Sequence, residues 1–559
     1  MEAAESQKPK SKSRKLLING ELIIIKQRKN MMLQEKNSNR WLAIGLTVIA
    51  VIFAACKNNN EPSEPVGPNE PADPTGKAKY TVIIYANNGE NLEVDEERDI
   101  ADAAEFLVTK KEDLSVRCAV YMKYSSQEGL NKQSQDMIKK QGKPFVAGGK
   151  AGEVYFFEVG PDCINFENKD AVQYLSLPDQ WIVDHSDAAM YDPTYIASVL
   201  KDVAKNVPAE NYILVLAGHA AGWEPDEDGD YPAPSKAPQS TITDAFLEGR
   251  AIKAKELHDG IKQSGIPVSA VIFDCCLQNS IEYLSELADV TTYTLASGHT
   301  THGGDYGSLL KELFEAPDGQ AGLKKALSNY ADVYAINHKN DWEDNENDKV
   351  LMNVDFAVVE MAKMPAVWTA LKSIVDYMCA NLKDSALYTI PSRQCYQYFN
   401  GSSKYDLADY LFKMMKAGAP YANNEAYREL FNNVYYALDN AIVHHAYALH
   451  YVSNLPDDAE APKLSMSINL GAKGRMQDMY EDSPTGYQCF DYTGKQWFFH
   501  PDDTPEWTEG DKTSVLYKWQ YSYDLSVFDA KTGWSRWIKL NPVMPYNNPP
   551  IGDEGDSNE

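Results

Sequence analysis

The chain has 559 residues, of which 43% are hydrophobic and 24% are charged. This length and composition are those of a globular protein with two or three domains, each with its own core. The formal net charge of −28 argues against a nucleic-acid binder and against attraction to anionic lipid surfaces, because both need a basic face. Eight cysteines in a chain this long do not make a disulfide scaffold.

The first 55 residues are predicted to be a signal sequence. Residues 41–55 form an apolar stretch after Arg40, which is short for a membrane span and typical of the hydrophobic region of a signal peptide. The stretch ends in Phe-Ala-Ala before Cys56. This order resembles a bacterial lipobox, in which the cysteine becomes the lipidated first residue. We therefore expect a lipid anchor at the bacterial cell envelope, on the outer membrane or the cell surface. A plain secretory signal and an uncleaved membrane anchor are the alternatives.

The two ends of the chain are predicted to lie outside any folded domain. Residues 1–30 precede Met31 and do not look like the start of a signal peptide, so a later start codon is an alternative. Residues 56–78 are rich in Pro, Glu and Asn, a composition that predicts an extended tether. Residues 546–559 are predicted to be a disordered tail.

Residues 79–340 alternate between strand-like and helix-like stretches. The apolar run 79–86 predicts a strand, and the spacing of apolar residues over 94–110 predicts a helix. This alternation is typical of a mostly parallel sheet with helices on both faces, so we predict an α/β fold. The acidic stretch 340–348 marks a boundary. The aromatic-rich residues 341–545 are predicted to form a mixed α+β accessory region.

Two predicted strands each end in a reactive side chain. The apolar run 212–218 leads directly into His219, and the run 268–273 leads into a stretch that contains Cys276. Open α/β sheets place their chemistry just beyond the carboxyl ends of parallel strands. A histidine and a cysteine at two such ends are candidates for a base and a thiolate nucleophile. The alternative for each is a structural role at a strand end or in the core.

The cysteine is duplicated, and only one of the pair can face a site, because adjacent strand residues point to opposite faces. Cys276 lies before a helix predicted to start near Asn279, and a helix amino terminus would lower the pKa of its thiol. Cys275 is the alternative nucleophile. Asp274 lies two residues before Cys276 and either lines a pocket for a basic side chain or caps the helix.

Two further histidines raise the alternative of a metal site. His299 and His302 lie at a Gly-rich stretch, 298–307. No cluster of Cys, His and carboxylate residues at familiar ligand spacings accompanies them, so this signal is weak. We therefore predict no metal.

Several segments resemble, in the same order, blocks of the clostripain family of caspase-like cysteine peptidases. The first contains the opening strand and the turn Asn-Gly-Glu-Asn-Leu, the second reads Ala-Gly-His-Ala-Ala-Gly-Trp, and the third reads Phe-Asp-Cys-Cys-Leu-Gln-Asn. A short Leu-Ala-Ser strand follows. These blocks span residues 80–93, 208–223, 271–282 and 295–297.

The resemblance implies a role for each site residue. His219 takes the position of the catalytic histidine and Cys276, not Cys275, that of the nucleophile. Asp274 falls where the family binds a P1 Arg or Lys. The backbone N–H of Cys276 and one near Ala220 would form the oxyanion hole. The resemblance thus implies an endopeptidase that cleaves after Arg or Lys through a Cys/His dyad.

The same resemblance carries expectations about processing, cofactors and partners. Self-cleavage after the histidine is expected at Lys236 or Arg250. No cofactor is expected, with calcium implied by the family alone. The expected partners are protein or peptide substrates and a membrane reached through the lipid anchor, with no nucleic acid.

The chain departs from the family pattern at positions near the expected site. Ala220 replaces a glycine after the histidine, and the stretch Gly298-His299 stands where the family often has an acidic residue. These departures favour an alternative, a catalytically weak or inactive surface binding or adhesion lipoprotein on the same scaffold.

Overall fold

The structure of the protein is a computed structural model. It describes residues 77–89, 91–110, 113–164, 168–220, 222–223, 241–244, 250–301, 303–338, 354–381, 398, 404–416, 424–448, 465–469, 487–490, 496–499 and 526–540. All of these residues belong to one compact unit, Gly67–Glu559.

The described residues form twelve α-helices and fifteen strands. The helices are α1 Glu93–Val108, α2 Gln127–Gln141, α3 Pro193–Asn206, α4 Ala254–Ser264, α5 Ile281–Glu286, α6 Tyr306–Glu315, α7 Gln320–Asn337, α8 Met364–Asn381, α9 Leu407–Lys416, α10 Glu425–Ala441, α11 Val527–Thr532 and α12 Trp534–Leu540. The strands are β1 Ala78–Asn87, β2 Val116–Lys123, β3 Val154–Glu158, β4 Ile182–Asp184, β5 Ala209–Gly218, β6 Thr241–Asp244, β7 Arg250–Ile252, β8 Val268–Asp274, β9 Tyr293–Ala296, β10 Val354–Glu360, β11 Lys404–Asp406, β12 Ile442–Ala448, β13 Ser467–Asn469, β14 Tyr487–Phe490 and β15 Gln496–Phe499.

Nine of these strands form the central sheet, in the order β12-β10-β9-β8-β5-β1-β2-β3-β4. The inner pairs β2–β1, β1–β5, β5–β8 and β8–β9 are parallel. The outer pairs at both edges are antiparallel. The prediction of an α/β fold with a mostly parallel sheet is therefore confirmed.

Alternate residues of the inner strands build two separate cores. On β5, Leu214 and Leu216 face one core, which also contains residues of α3 and α4. Ile213 and Val215 face the other, with residues of α1, α6 and α7. Each fully buried aliphatic side chain contributes about 1.5–3 kcal/mol to folding. Burial on both faces explains why these strands read as continuous apolar runs in the sequence.

The sheet continues past the predicted boundary at residue 340. Strands β10 and β12 pair with each other and extend the sheet beyond β9. At least these parts of residues 341–545 therefore belong to the same sheet as the predicted peptidase domain. The boundary itself lies outside the described residues.

Within the described part of the chain, no helix is both long and apolar enough to span a bilayer. The predicted signal sequence, Cys56, the tether at 56–76 and the tail at 546–559 lie outside the described residues.

Candidate active site

Strands β5 and β8 bring the two expected catalytic residues to the same edge of the sheet. The strands are parallel neighbours, with Ala217 opposite Asp274. His219 and Cys276 each follow two residues after this pair, and neighbouring strands lie about 4.8 Å apart. The backbone thus leads both residues out at adjacent strand ends.

The two cysteines differ in their surroundings. Cys275 is only 1% exposed and packs in the core shared by α3 and α4, together with Phe273. Cys276 is partly exposed and packs against the small cluster of Leu277 and Tyr398. The alternation along β8 therefore turns Cys275 into the core and leaves Cys276 as the more accessible thiol.

The expected helix behind Cys276 begins later than predicted. Helix α5 starts at Ile281 and is capped by Ser280, two residues later than the predicted start near Asn279. The intervening chain is instead held at the β9 side, where the N–H of Asn279 donates to the carbonyl of Ser297 at 2.9 Å. Asp274, the other candidate for this cap, does not cap the helix.

The Cys276 thiol is hydrogen-bonded to Thr301, and not to the amino terminus of a helix. The backbone N–H of Thr301 donates to Sγ at 3.4 Å, and the hydroxyl of Thr301 lies 3.8 Å from Sγ. Burial raises the pKa of the Cys276 thiol, and the Thr301 bonds lower it only in part. In this structure the thiol, not the thiolate, is therefore favoured at neutral pH.

The residue after Cys276 is conformationally strained. Leu277 has φ of +63°, in the left-handed region that a branched residue rarely adopts. Its N–H donates to the carbonyl of His299 at 2.8 Å, which holds it there. This sharp bend turns the chain away from β8 just after Cys276.

The imidazole of His219 is oriented by the turn after β1. Its Nε2 lies 2.5 Å from Oδ1 of Asn91, and the N–H of Asn91 donates to the carbonyl of Asn88 within the same turn. An amide oxygen only accepts hydrogen bonds, so Nε2 carries the proton and Nδ1 is the basic nitrogen. Burial lowers the pKa of His219, which keeps the ring neutral at neutral pH.

Two loops that carry the site are in close backbone contact. Gly222 has φ of +76°, and a Cβ there would lie 2.4 Å from the carbonyl oxygen of Leu277 and 2.6 Å from Cε of Lys404. Only glycine fits this approach. Ala220, at the expected oxyanion position, is 9% exposed and packs in the core that contains Cys275.

Asp274 is buried at the end of β8 and faces α1 and α6. Its Oδ2 accepts from the hydroxyl of Tyr306 at 2.7 Å, and the same hydroxyl lies 3.0 Å from Oε1 of Glu96. Burial raises the pKa of the Asp274 carboxyl, and the bond from Tyr306 opposes the rise.

His299 is engaged in structural hydrogen bonds. Its Nδ1 lies 3.0 Å from the carbonyl oxygen of Tyr398, and its N–H donates to Asp355 at 3.1 Å. His302 lies outside the described residues. Across the parts of the chain that the structure describes, no group of three or more His, Cys, Asp or Glu side chains is arranged to hold a metal ion.

The structure describes one of the two expected processing positions. Arg250 lies in β7, where it pairs with Asp244 of β6. Lys236 lies outside the described residues.

Several residues that the structure places at the site were not predicted. Asn91 and Thr301 bond the two candidate catalytic side chains, and Tyr306 bonds both Asp274 and Glu96. Strand β13 also reaches the site, where the N–H of Ser467 donates to the carbonyl of Asn279. Asn91 lies in the turn already identified in the sequence. The other residues are far in sequence from the groups that they bond, so no local pattern could have predicted these contacts.

Comparison with known proteins gives a family and several structural likenesses. A sequence profile described as the Clostripain family matches residues 170–538, more than half of the 559 residues. Comparison with curated proteins gave no match.

The similar solved structures include two of a secreted C11 cysteine protease from Bacteroides thetaiotaomicron. One has 16% identity and a TM-score of 0.46, and covers 70% of this chain and 94% of the other. The second, in complex with an irreversible peptide inhibitor, has 15% identity, a TM-score of 0.47 and coverage of 72% and 97%. An inactive zymogen C11 protease from Parabacteroides distasonis has 14% identity, a TM-score of 0.41 and coverage of 71% and 94%.

Proposed function

Because the chain belongs to the clostripain family of cysteine peptidases, we propose that it cleaves peptide bonds by attack of Cys276, with His219 as the general base. The observation that carries this proposal is the position of the two residues, each two places beyond the aligned pair Ala217 and Asp274 at neighbouring strand ends.

The mechanism follows from the protonation states. Nδ1 of His219, free to accept while Nε2 donates to Asn91, takes the proton of the Cys276 thiol as Sγ attacks the scissile carbonyl. Backbone N–H groups of Cys276 and near Ala220 stabilise the developing oxyanion. The imidazolium then protonates the leaving amine, and water hydrolyses the thioester with His219 again as base.

The test of this proposal is turnover of a fluorogenic peptide. Cys276→Ala and His219→Ala are each expected to abolish measurable cleavage, while Cys275→Ala, matched in chemistry and adjacent in sequence, is expected to retain it. Cleavage that survives Cys276→Ala would disprove the assignment. Absence of cleavage in the wild type with every P1 residue would instead support the alternative, a surface binding or adhesion protein.

Specificity for Arg or Lys at P1 rests on Asp274. Its carboxyl is buried two residues before Cys276, and burial raises its pKa, so a cationic side chain placed beside it would stabilise the carboxylate. Substrates with P1 Arg or Lys are expected to be cleaved much faster than a P1 citrulline substrate, which has the shape of arginine without its charge. Equal rates would contradict this specificity.

Self-processing is proposed at Lys236 in preference to Arg250. A protease binds its target bond in an extended, unpaired form, and the backbone of Arg250 is paired with β6. Purified wild type is expected to be cut after Lys236, as mass spectrometry of the fragments would show, and Cys276→Ala is expected to stay intact. Equal stability of both proteins on incubation would exclude self-processing.

We propose attachment to the bacterial cell envelope through lipidation of Cys56. The lipobox-like order before this residue supports the proposal. Wild type is expected to partition into the detergent phase and Cys56→Ala into the aqueous phase.

We also propose that catalysis needs no cofactor. Peptidase activity is expected to survive treatment with a chelator. Loss of activity on chelation and its restoration by calcium would contradict this proposal.

A further inference from the structure

A tyrosine hydroxyl bridges two buried carboxyls at the end of β8. Tyr306 Oη lies 2.7 Å from Oδ2 of Asp274 and 3.0 Å from Oε1 of Glu96. Asp274 is 8% exposed and Glu96 is 6% exposed. The three side chains come from three elements, β8, α1 and α6, so the arrangement is built by the fold and not by one local turn.

The two short contacts of the Tyr306 hydroxyl require that one of the two carboxyls is protonated. A phenol has one O–H and can donate it to only one of the two carboxyls. The other short contact is a hydrogen bond only if that carboxyl is itself protonated and donates to the phenol oxygen. Otherwise two oxygens with lone pairs would face each other in a buried site, at a cost that native proteins avoid.

The surrounding charges favour the extra proton. Burial raises the pKa of both carboxyls, and repulsion between Asp274 and Glu96 raises that of Glu96 further. Arg98 faces Asp99 and Asp95 at the edge of the cluster. The titratable and charged groups that surround the pair are Glu93, Asp95, Arg98 and Asp99 from α1, Cys118 from β2, Cys275 and Cys276 after β8, and Tyr330 and His338 from α7 and its end. Of these, His338 lowers the pKa of Asp274, against the larger effect of burial.

We propose that Glu96, Tyr306 and Asp274 form a proton-sharing unit beneath the P1 subsite, and that a cationic P1 side chain displaces the shared proton to solvent. The proposal rests on the proposed function in one respect, the contact of Asp274 with P1. Glu96 and Tyr306 are positioning residues that act through Asp274. The exchange is balanced, because the site gains one positive charge from the substrate and loses one as a proton.

This exchange makes recognition of basic residues depend on pH. Below the apparent pKa of the pair, binding of a cation has to release a proton, so affinity rises about tenfold per pH unit. Above it the pair is already ionised and affinity becomes level. A neutral P1 side chain releases no proton and its affinity does not follow this dependence.

The test uses the full chain with Cys276→Ala, which binds peptide without cleaving it. Calorimetric titration with a P1 arginine peptide in buffers of different ionisation enthalpy is expected to show release of about one proton per bound peptide near neutral pH. The matched P1 citrulline peptide is expected to show none. Adding Glu96→Gln, which keeps the shape and removes the proton, is expected to abolish the release and flatten the pH dependence of binding. Tyr306→Phe, which keeps the buried ring, is expected to reduce both the proton release and the pH dependence of binding.

The outcomes separate this inference from the proposed function. Binding of the arginine peptide without proton release, or with the same release after Glu96→Gln, overturns proton sharing and leaves specificity intact. Failure of the arginine peptide to bind, with a neutral P1 peptide binding, overturns both P1 specificity and the displacement. In the substrate-free protein, infrared spectroscopy is expected to show a carboxylic acid C=O band that is lost in Glu96→Gln, and absence of the band in wild type overturns the shared proton whatever the peptides do. Thermal unfolding of each variant checks that it is folded.

Discussion

Burial shifts the two candidate catalytic residues in opposite directions. It raises the pKa of the Cys276 thiol and lowers the pKa of the His219 imidazolium. Both shifts favour the neutral pair, thiol and imidazole, over a thiolate–imidazolium ion pair in the resting enzyme. The proton would then move during attack on the substrate, as general base catalysis requires.

This state predicts the pH dependence of thiol reactivity. The rate of alkylation of Cys276 by iodoacetamide is expected to keep rising with pH through 8 and above, because the reactive thiolate forms only as its raised pKa is approached. The adduct on Cys276 is followed by mass spectrometry in a Cys275→Ala background, because the chain has other free cysteines, among them the partly exposed Cys379. A rate already level at acidic pH would reveal a preformed ion pair and contradict the neutral state.

At the scale of elements, the sequence predicted what local patterns can report. The apolar runs of β5 and β8 are buried on both faces, so their positions, and hence those of His219 and Cys276, were predictable. The exact start of α5 was not, because the chain between Cys276 and Ser280 is held by hydrogen bonds to residues just after β9. Nothing in the local sequence shows those bonds.

Contact between the loops after β5 and β8 gives a prediction at this scale. Gly222→Ala is expected to lower kcat/KM by at least about a hundredfold, because its Cβ would overlap the carbonyl oxygen of Leu277. Gly142, at the end of α2, has a similar φ of +73° with nothing within 4 Å of an added Cβ. Gly142→Ala therefore has the same backbone cost, roughly 1 kcal/mol of unfolding free energy, and is expected to leave kcat/KM unchanged. Equal effects of the two substitutions would exclude the contact as the cause.

At the scale of the whole molecule, pairings between distant residues complete the sheet and the site. Asp355 of β10 accepts from Ser297 at 2.7 Å and also bonds Ser465, and β10 and β12 extend the sheet beyond the predicted boundary. Strand β10 lies beyond the predicted boundary, and nothing in its local sequence selects β9 and β12 as its partners. The parallel half of the sheet could therefore be predicted from the sequence, and its extension could not.

The buried acids of α1 give a prediction about global stability. Burial raises the pKa of Glu97 from 4.5 to about 8, so the folded state favours the protonated form. Its contribution to stability is complete below pH 4.5 and is lost as pH rises, by about 1.4 kcal/mol per pH unit until about pH 8. Glu97→Gln keeps the acceptor for Tyr124 and Gly148 and removes this dependence.

We therefore expect the difference in unfolding free energy, Glu97→Gln minus wild type, to increase from pH 5 to pH 8. Chemical denaturation at each pH measures this difference. Glu429, exposed on α10, provides the control, and Glu429→Gln is expected to show no such trend. A constant difference between Glu97→Gln and wild type across this range would contradict a buried protonated Glu97.

The central claim is that Cys276 is the nucleophile of a cysteine peptidase, and covalent labelling tests it most directly. An irreversible electrophilic peptide with P1 Arg is incubated with wild type, Cys275→Ala, Cys276→Ala and His219→Ala, and the adduct is mapped by mass spectrometry. We predict one adduct, on Cys276, in wild type and Cys275→Ala, slower labelling in His219→Ala and none in Cys276→Ala. An adduct on Cys275, or labelling that survives Cys276→Ala, would contradict the claim.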